Sequence, residues 1–302
     1  MKSLRINAKS APLTKQIEAK VNTGFKNIEI QLIHDYVSEI EYAETKDAIE
    51  KMGIDISVVH TPLVEIGDDI MTDISLDGLL INKNCEILDD TCKFAQYLTE
   101  LLNHRIKVVI HNDFSKEIWM ETKLLEEKII PSIKGILDKY SDVDLLIENS
   151  SSYGTGKANY RSIGNMEDVS YAVKVLNSVL KNRVETLIDT CHMLMNWSAW
   201  KKTTGSLEKF SDWDAEFKNA IQYSPIGLIH LNNMKENGLG KNHGVAFNKN
   251  NKEDMKELEL IMNAYEKYAN CEITIEVREN NYEGNPEQLI LTKEALEELR
   301  II

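Results

Sequence analysis

Six short apolar runs in the sequence carry a histidine or a carboxylate at or near their ends. The runs are "DISVVH", "KVVIH", "DLLIE", "TLID", "GLIH" and "ITIEV", and their polar residues are His60, His111, Glu148, Asp189, His230 and Glu276. Such groups cannot be buried together without compensation, because carboxylates repel one another and burial penalises each charge. A divalent cation resolves this conflict, and mixed nitrogen and oxygen ligands suit zinc, manganese or cobalt better than calcium. The residue types therefore predict a metal site.

Two further stretches add candidate residues to this site. In "IDTCHML", His192 follows Asp189 by three positions, so a tight turn after the strand would aim both side chains into one cavity. In "IHLNNMKENGLGKNHG", His243 lies at the far end of a Gly- and Asn-rich loop that also holds Lys235 and Lys241. These lysines are candidates to neutralise an oxyanion or a phosphate of a substrate.

The elements that must position these residues follow a strand-helix alternation. About eight β-branched runs are each followed by a helix-like segment, which predicts an α/β fold, a single (β/α)8 TIM barrel, over residues 1–302. The rival fold, an open doubly wound sheet, usually has a Gly-rich turn after its first strand, and "RINAKSAPL" has none. In a barrel the carboxyl ends of all strands meet at one rim, where the predicted loops 61–82, 149–165, 190–205 and 232–250 also lie.

Composition limits the partners of the protein. The formal net charge of -14 argues against a surface broadly adapted to the phosphate backbone of nucleic acids. The four cysteines lack a CxxC spacing and the first residues lack an apolar core, so we expect a reduced, cytoplasmic protein. No apolar run approaches the roughly 18 residues of a membrane span, so we expect no membrane association. The sequence leaves open whether the protein forms a homo-oligomer.

The motifs "VVHTP", "VVIHND", "LLIENSSSYGTG", "LIDTCHML", "LIHLNNMK", "GKNHG" and "TIEV" occur in an order that resembles the xylose isomerase-like barrel superfamily. This superfamily, AP endonuclease family 2, holds endonuclease IV and many sugar isomerases and epimerases. The resemblance implies a metal quartet formed by Glu148, Asp189, His230 and Glu276. It also implies that His60 and His111 hold another zinc with the bridging glutamate, and that His192 and His243 match the remaining histidines of endonuclease IV.

Lys241 departs from the endonuclease pattern, because it stands where that enzyme has an aspartate ligand of a third zinc. A lysine cannot support a metal by charge. The segment "NIEIQLIHDYVSEIEYAE" is acidic, whereas endonuclease IV has a basic, DNA-entering loop after its second strand. We therefore expect one to three zinc or manganese ions, and a small sugar-like substrate ahead of a nucleic acid.

The activity that the sequence favours is that of a metal-dependent isomerase or epimerase of a sugar or sugar phosphate. Glu148 and Glu276 would move the proton and Lys241 would neutralise an oxyanion, while Lys235, Trp197 and Tyr153 would contact the substrate. Half or more of such aromatic side chains merely cover core. The alternatives are an endonuclease IV-like phosphodiesterase acting at abasic sites in DNA repair, and a barrel that binds a metal or ligand without turnover.

Overall fold

The strands and helices of the protein alternate through most of the chain. The computed structural model describes residues 4–65, 71–151, 165–204, 212–237 and 240–302. The strands are β1 (Ile6–Ser10), β2 (Asn27–Gln31), β3 (Asp55–His60), β4 (Leu63–Glu65), β5 (Met71–Asp73), β6 (Ile106–Asn112), β7 (Val143–Asn149), β8 (Val184–Asp189), β9 (Ile226–Leu231), β10 (Asn233–Asn237), β11 (Gly240–Val245) and β12 (Glu272–Ile275).

The helices mostly follow the strands in sequence. They are α1 (Thr14–Val21), α2 (Glu39–Met52), α3 (Asn82–Leu102), α4 (Lys116–Thr122), α5 (Ile130–Leu137), α6 (Met166–Leu180), α7 (Thr190–Thr204), α8 (Trp213–Ala220), α9 (Lys252–Tyr268) and α10 (Glu287–Glu298). A 3-10 turn covers Asp77–Leu80 and a π-helical turn covers Leu125–Ile129. In the part of the chain that the structure describes, we find no helix with the length and apolarity needed to cross a membrane.

Eight of the strands close into a parallel barrel in the order β1-β2-β3-β6-β7-β8-β9-β12, with β12 pairing back to β1. The predicted (β/α)8 TIM barrel is therefore confirmed. The other strands form two antiparallel hairpins, β4-β5 and β10-β11, which follow β3 and β9 in the chain.

Local sequence signals fix the ends of the helices. The Ser38 hydroxyl accepts a hydrogen bond from the Glu41 backbone N–H, and the Glu41 carboxylate accepts one from the Ser38 N–H, so the two residues form a capping box at the start of α2. Gly53 ends the same helix with φ at 62°, a left-handed conformation that glycine adopts without steric cost.

Side chains inside the barrel lie in layers because successive residues of a strand point to opposite faces. One buried apolar layer consists of Val58, Val109, Leu146, Leu187 and Leu228. Each of these residues precedes a polar strand-end residue by two positions, so both side chains point into the barrel. The strand-end residues therefore lie directly above this apolar layer inside the barrel.

Some segments that the sequence predicts to be loops contain regular structure instead. The prediction for 190–205 is wrong, since α7 begins directly at Thr190. The Asp189 carboxylate accepts a hydrogen bond from the His192 backbone N–H at 2.6 Å, which satisfies a donor in the first turn of this helix. The predicted loops 61–82 and 232–250 hold the two hairpins. The described part of the barrel rim therefore holds more regular structure than the loop composition indicates, while most of the predicted loop 149–165 lies outside the described residues.

Candidate metal centre

The barrel brings eight of the predicted ligand residues together at its carboxyl rim. They form three groups whose candidate ligand atoms lie within 4.8 Å of one another: His60, His111 and Glu148; Glu148, Asp189, His230 and Glu276; and Asp189, His192 and His243. Glu148 belongs to the first two groups, and Asp189 belongs to the last two. The groups therefore form one continuous centre rather than separate sites.

Glu148 lies at the middle of the centre, on the inward face of β7 next to His111 of β6. Its Oε2 lies 3.3 Å from His60 Nε2 and 3.4 Å from His111 Nε2. Its Oε1 lies 3.3 Å from His192 Nδ1 and 3.4 Å from His230 Nδ1. Burial alone would raise the pKa of this carboxyl, but the surrounding histidines, His111 and His230 foremost, hold its pKa well below the usual value. Glu148 is therefore an anion that faces two histidines with each oxygen.

Asp189 is held in place by two asparagines that the sequence does not single out. The Asn149 amide donates to the Asp189 carbonyl at 3.1 Å, and its oxygen accepts from the Asp189 N–H at 2.7 Å. The Asn232 amide donates to Asp189 Oδ2 at 2.9 Å. Their positions in the sequence indicate that both asparagines lie near the centre, because Asn149 directly follows Glu148 and Asn232 follows His230 by two positions.

Backbone carbonyls accept a hydrogen bond from Nδ1 of two of the histidines. His60 Nδ1 donates to the Thr61 carbonyl at 2.9 Å, and His192 Nδ1 donates to the Asn149 carbonyl at 2.7 Å. A neutral His60 ring carries one proton, so Nε2 is its acceptor or metal-ligating atom, and this nitrogen lies 3.3 Å from Glu148 Oε2. In His192, by contrast, it is Nδ1 that lies 3.3 Å from Glu148 Oε1.

His243 reaches the centre from the β10-β11 hairpin. Its ring centroid lies 4.8 Å from that of His192, and its Nε2 lies 4.0 Å from Asp189 Oδ2. Gly244 makes this approach possible, because its φ of 72° is left-handed and its carbonyl accepts from the Arg278 N–H at 2.8 Å. Burial and the neighbouring His192 lower the pKa of His243. Burial would also lower the pKa of His192, but Asp189 and Glu148 outweigh it and raise this pKa to about 10.

The donor set fits divalent ions. Among the residues that the structure describes, buried atoms of the centre without a hydrogen-bond partner include His230 Nδ1, His243 Nε2 and Glu276 Oε2. His230 Nδ1 and Glu276 Oε2 lie only 2.7 Å apart and belong to one ligand group. Buried nitrogen and carboxylate atoms that converge in this way form a donor set that a metal ion could bind.

The sequence does not predict two charged residues of the site, the buried Glu29 and Lys9, whose side chain is 11% exposed. Lys9 Nζ lies 2.9 Å from Glu276 Oε1 and 3.6 Å from Glu29 Oε1, and Glu29 Oε2 lies 3.0 Å from His230 Nε2. Both residues lie inside strands rather than at strand ends, so the pattern of polar strand-end residues does not include them. Period-two alternation in "INAKS" and "NIEIQ" was the signal that both point into the barrel.

The remaining predicted site residues are not brought into the centre by the described part of the structure. Tyr153 and the side chains of Lys235 and Lys241 lie outside the described residues, although the backbones of the two lysines belong to β10 and β11. Trp197 is only 5% exposed and packs edge-on against Trp213, with ring centroids 4.6 Å apart. Its ring therefore covers core, and its contact with a substrate stays a prediction.

Comparison with known families matches this geometry. The family model described as "Xylose isomerase-like TIM barrel" matches residues 17–300. The chain belongs to the xylose isomerase-like TIM barrel family. The structural neighbours of this chain include both an endonuclease IV and a sugar epimerase, so the family assignment does not fix the reaction.

Among curated proteins, the probable endonuclease 4 of Mesomycoplasma hyopneumoniae (strain 7448) is 27% identical over 125 residues, which cover 41% of this chain and 39% of that protein. The matched part is thus well under half of the relative. The crystal structure of endonuclease IV from Thermus thermophilus aligns with a TM-score of 0.55 at 16% identity, covering 97% of this chain and 99% of that one. The apo 3-keto-D-glucoside 4-epimerase from E. coli aligns with a TM-score of 0.56 at 12% identity, covering 99% and 100%. At these identities the structural likeness shows the shared fold.

Proposed function

We propose that the protein is a divalent-metal-dependent phosphoester hydrolase with at least two ions in its centre. The observation that carries this proposal is the sharing of Glu148 between two complete ligand groups. A single metal that holds two oxygens of a sugar needs one such group. A second group that shares a carboxylate with the first supports a pair of ions, which suits a reaction with both an attacking and a leaving oxygen.

The chain's own residues would hold the ions in two adjoining places. The first place has His60, His111 and Glu148, and the second has Glu148, Asp189, His230 and Glu276. Divalent ions bound there would polarise the phosphoryl oxygen and lower the pKa of a water molecule. A third place at Asp189, His192 and His243 has one carboxylate, as the first place does, and Lys241 takes the position where the endonuclease pattern has a further aspartate.

The surroundings of Glu148 favour this reading over proton transfer by that residue. Its side chain is 1% exposed, and each of its oxygens faces two histidines. A carboxylate in this position would hold ions in both places and has no open path to a substrate proton. Glu276 is different, because its side chain is 19% exposed and Lys9 holds its Oε1. Glu276 can therefore orient a group that enters from the mouth.

The second candidate function is that of a sugar isomerase or epimerase. It is favoured by the four-residue group of Glu148, Asp189, His230 and Glu276, which is complete without the other histidines. In this reading Glu276 would accept and return the substrate proton, and the Lys9 ammonium would stabilise its charged form. The acidic net charge also fits a small substrate better than duplex DNA.

His60→Ala separates the two functions, because it removes a ligand of the first place and leaves the four-residue group intact. We expect metal-loaded wild-type protein to cleave bis(p-nitrophenyl) phosphate or a duplex with an abasic site, and His60→Ala to lose at least roughly 100-fold in rate. His104→Ala is the control, because His104 contacts Asp55 at the start of β3, away from the carboxyl rim.

The outcome that would contradict hydrolysis is equally specific. Wild-type protein that cleaves neither substrate, but exchanges a proton of a ketose or ketose phosphate with solvent, would establish the second candidate. Exchange that survives His60→Ala and is lost in Glu276→Gln would strengthen that conclusion. Metal binding without either activity would favour a barrel that binds without turnover.

A further inference from the structure

A buried carboxylate lies directly behind one histidine of the metal centre. Glu29 on β2 is 0% exposed, and its Oε2 accepts hydrogen bonds from His230 Nε2 at 3.0 Å and from the Thr274 hydroxyl at 2.7 Å. Its Oε1 lies 3.6 Å from the ammonium of Lys9, its cross-strand neighbour on β1. Glu29 itself belongs to none of the three ligand groups.

The contact with Glu29 decides which nitrogen of His230 can bind a metal. Because an ionised carboxylate only accepts hydrogen bonds, the proton of a neutral His230 ring must lie on Nε2. Nδ1 is then left bare, and it is the nitrogen that faces the centre, 2.7 Å from Glu276 Oε2 and 3.4 Å from Glu148 Oε1. His60 has the opposite orientation, since the Thr61 carbonyl binds its Nδ1 and its Nε2 lies 3.3 Å from Glu148 Oε2.

Lys9 allows the buried Glu29 to remain an anion. A lone buried carboxylate would become protonated, and it would then compete with the imidazole as a donor. The Lys9 ammonium lies between Glu29 and Glu276 and compensates both charges.

We propose that Glu29 is a positioning residue that selects the Nδ1-ligating form of His230, with Lys9 as its charge partner. This inference rests on the proposed metal centre. Glu29, His230 and the ion would form a carboxylate-histidine-metal chain, in which the carboxylate orients the ring and makes its free nitrogen more basic. Glu29 neither contacts the substrate nor binds the ion itself.

Zinc binding to the full-length protein tests the proposal without reference to activity. Competition with a chromophoric chelator gives the affinity for zinc alone, and we expect Glu29→Gln to weaken the ion at His230 by roughly 10- to 100-fold. Thr274→Val removes the second hydrogen bond to Glu29 but leaves the carboxylate, so we expect a smaller loss. Long-range 15N–1H NMR spectra of zinc-loaded wild-type protein should show His230 protonated at Nε2 and ligated through Nδ1.

The double variant Lys9→Met/Glu29→Gln separates positioning from mere charge, because it removes one positive and one negative group and so restores the local net charge. If Glu29 acts only through its charge, the double variant recovers wild-type affinity for zinc. If Glu29 positions His230, the affinity stays reduced by roughly 10-fold or more. The double variant also replaces a buried ion pair by uncharged groups of similar size, which guards against a folding defect of the single variant.

Each remaining outcome has a clear meaning. Wild-type affinity in Glu29→Gln, or zinc ligated through Nε2 of His230, overturns the role of Glu29 and leaves the proposed hydrolase intact. Wild-type protein that binds zinc through Nδ1 but hydrolyses no phosphoester retains the role of Glu29 and overturns the hydrolase. Wild-type protein that binds no zinc overturns both.

Discussion

At the scale of single residues, the buried carboxylates depend most strongly on the groups around them. Glu29, Glu148 and Asp189 are each at most 1% exposed, and each is compensated by nearby histidines, amides or Lys9 rather than by water. Removing one partner of such an arrangement costs more than the pair contributes, because the other charge is left uncompensated. Two further buried carboxylates, Asp168 and Glu216, lie outside the centre, and each accepts a hydrogen bond from a backbone N–H.

The Asp168 carboxyl predicts how stability depends on pH. Burial raises its pKa from 3.8 to about 7, and its Oδ2 has no hydrogen-bond partner among the residues described. Because the folded protein holds this proton more tightly than the unfolded chain, the free energy of unfolding should fall as the pH rises from about 4 to about 7. Glu216, whose pKa burial also raises to about 7, adds to the same slope.

Asp168→Asn should remove its share of that slope. The new amide oxygen can still accept from the Lys116 N–H, which Asp168 Oδ1 binds at 2.8 Å. We therefore expect the variant to be more stable than wild type at pH 8, by on the order of 1–3 kcal/mol, and similar at pH 4. Urea unfolding at both pH values measures this, with the exposed Glu121→Gln on α4 as the control for loss of one charge. Equal slopes for wild type and Asp168→Asn would contradict the assignment.

At the scale of elements, strand alternation does most of the positioning. Five of the strand-end residues follow a member of the apolar layer by two positions. The alternation of side chains along each strand therefore positions both the apolar layer and the candidate metal ligands. The hairpin β10-β11 adds His243 from outside the barrel. It can approach only where the backbone of Gly244 comes within hydrogen-bonding distance of Arg278.

Gly244→Ala tests the dependence of His243 on this close approach. A Cβ at Gly244 would lie 3.2 Å from Arg278 Cγ and 3.3 Å from its backbone nitrogen, and the left-handed φ of 72° adds strain. We expect a loss of about 1–2 kcal/mol in stability, measured by urea unfolding, together with weaker zinc binding at His243. Gly135→Ala in α5 is the matched control, because its Cβ would meet nothing within 4 Å. That control should gain roughly 0.5–1 kcal/mol. A Gly244→Ala protein as stable as wild type would show that the hairpin adapts.

The sequence predicts the elements and the ligands to different extents. Alternating strands and helices suffice to predict the barrel. The strand-end position suffices to predict that residues such as His60 and Asp189 lie at its carboxyl rim. The sequence does not predict Lys9 and Glu29 as site residues. The contacts of a polar residue inside a strand depend on the neighbouring strands, which come together only when the barrel closes. The helix α7 is missed because its first turn depends on the Asp189 side chain, which composition does not reveal.

At the scale of the whole molecule, a strongly acidic chain places a dense cluster of carboxylates and histidines at one end of a closed barrel. The formal net charge of -14 means that the overall field attracts cations and repels polyanions, so an anionic substrate must be bound by the centre itself. The four-residue group and Glu29 together hold four carboxylates, of which Glu29 and Glu276 lie 3.6 and 2.9 Å from the ammonium of Lys9. Bound divalent ions would reverse this local excess of negative charge and make the rim receptive to phosphate.

The number and position of bound ions test the central claim most directly. Zinc-loaded protein should be analysed by elemental mass spectrometry, and the ions should be located in crystals by anomalous scattering at the zinc edge. We expect at least two ions per chain, one held by His60, His111 and Glu148 and the other by Glu148, Asp189, His230 and Glu276. A single ion confined to the four-residue group, or no ion at all, would contradict the proposed centre.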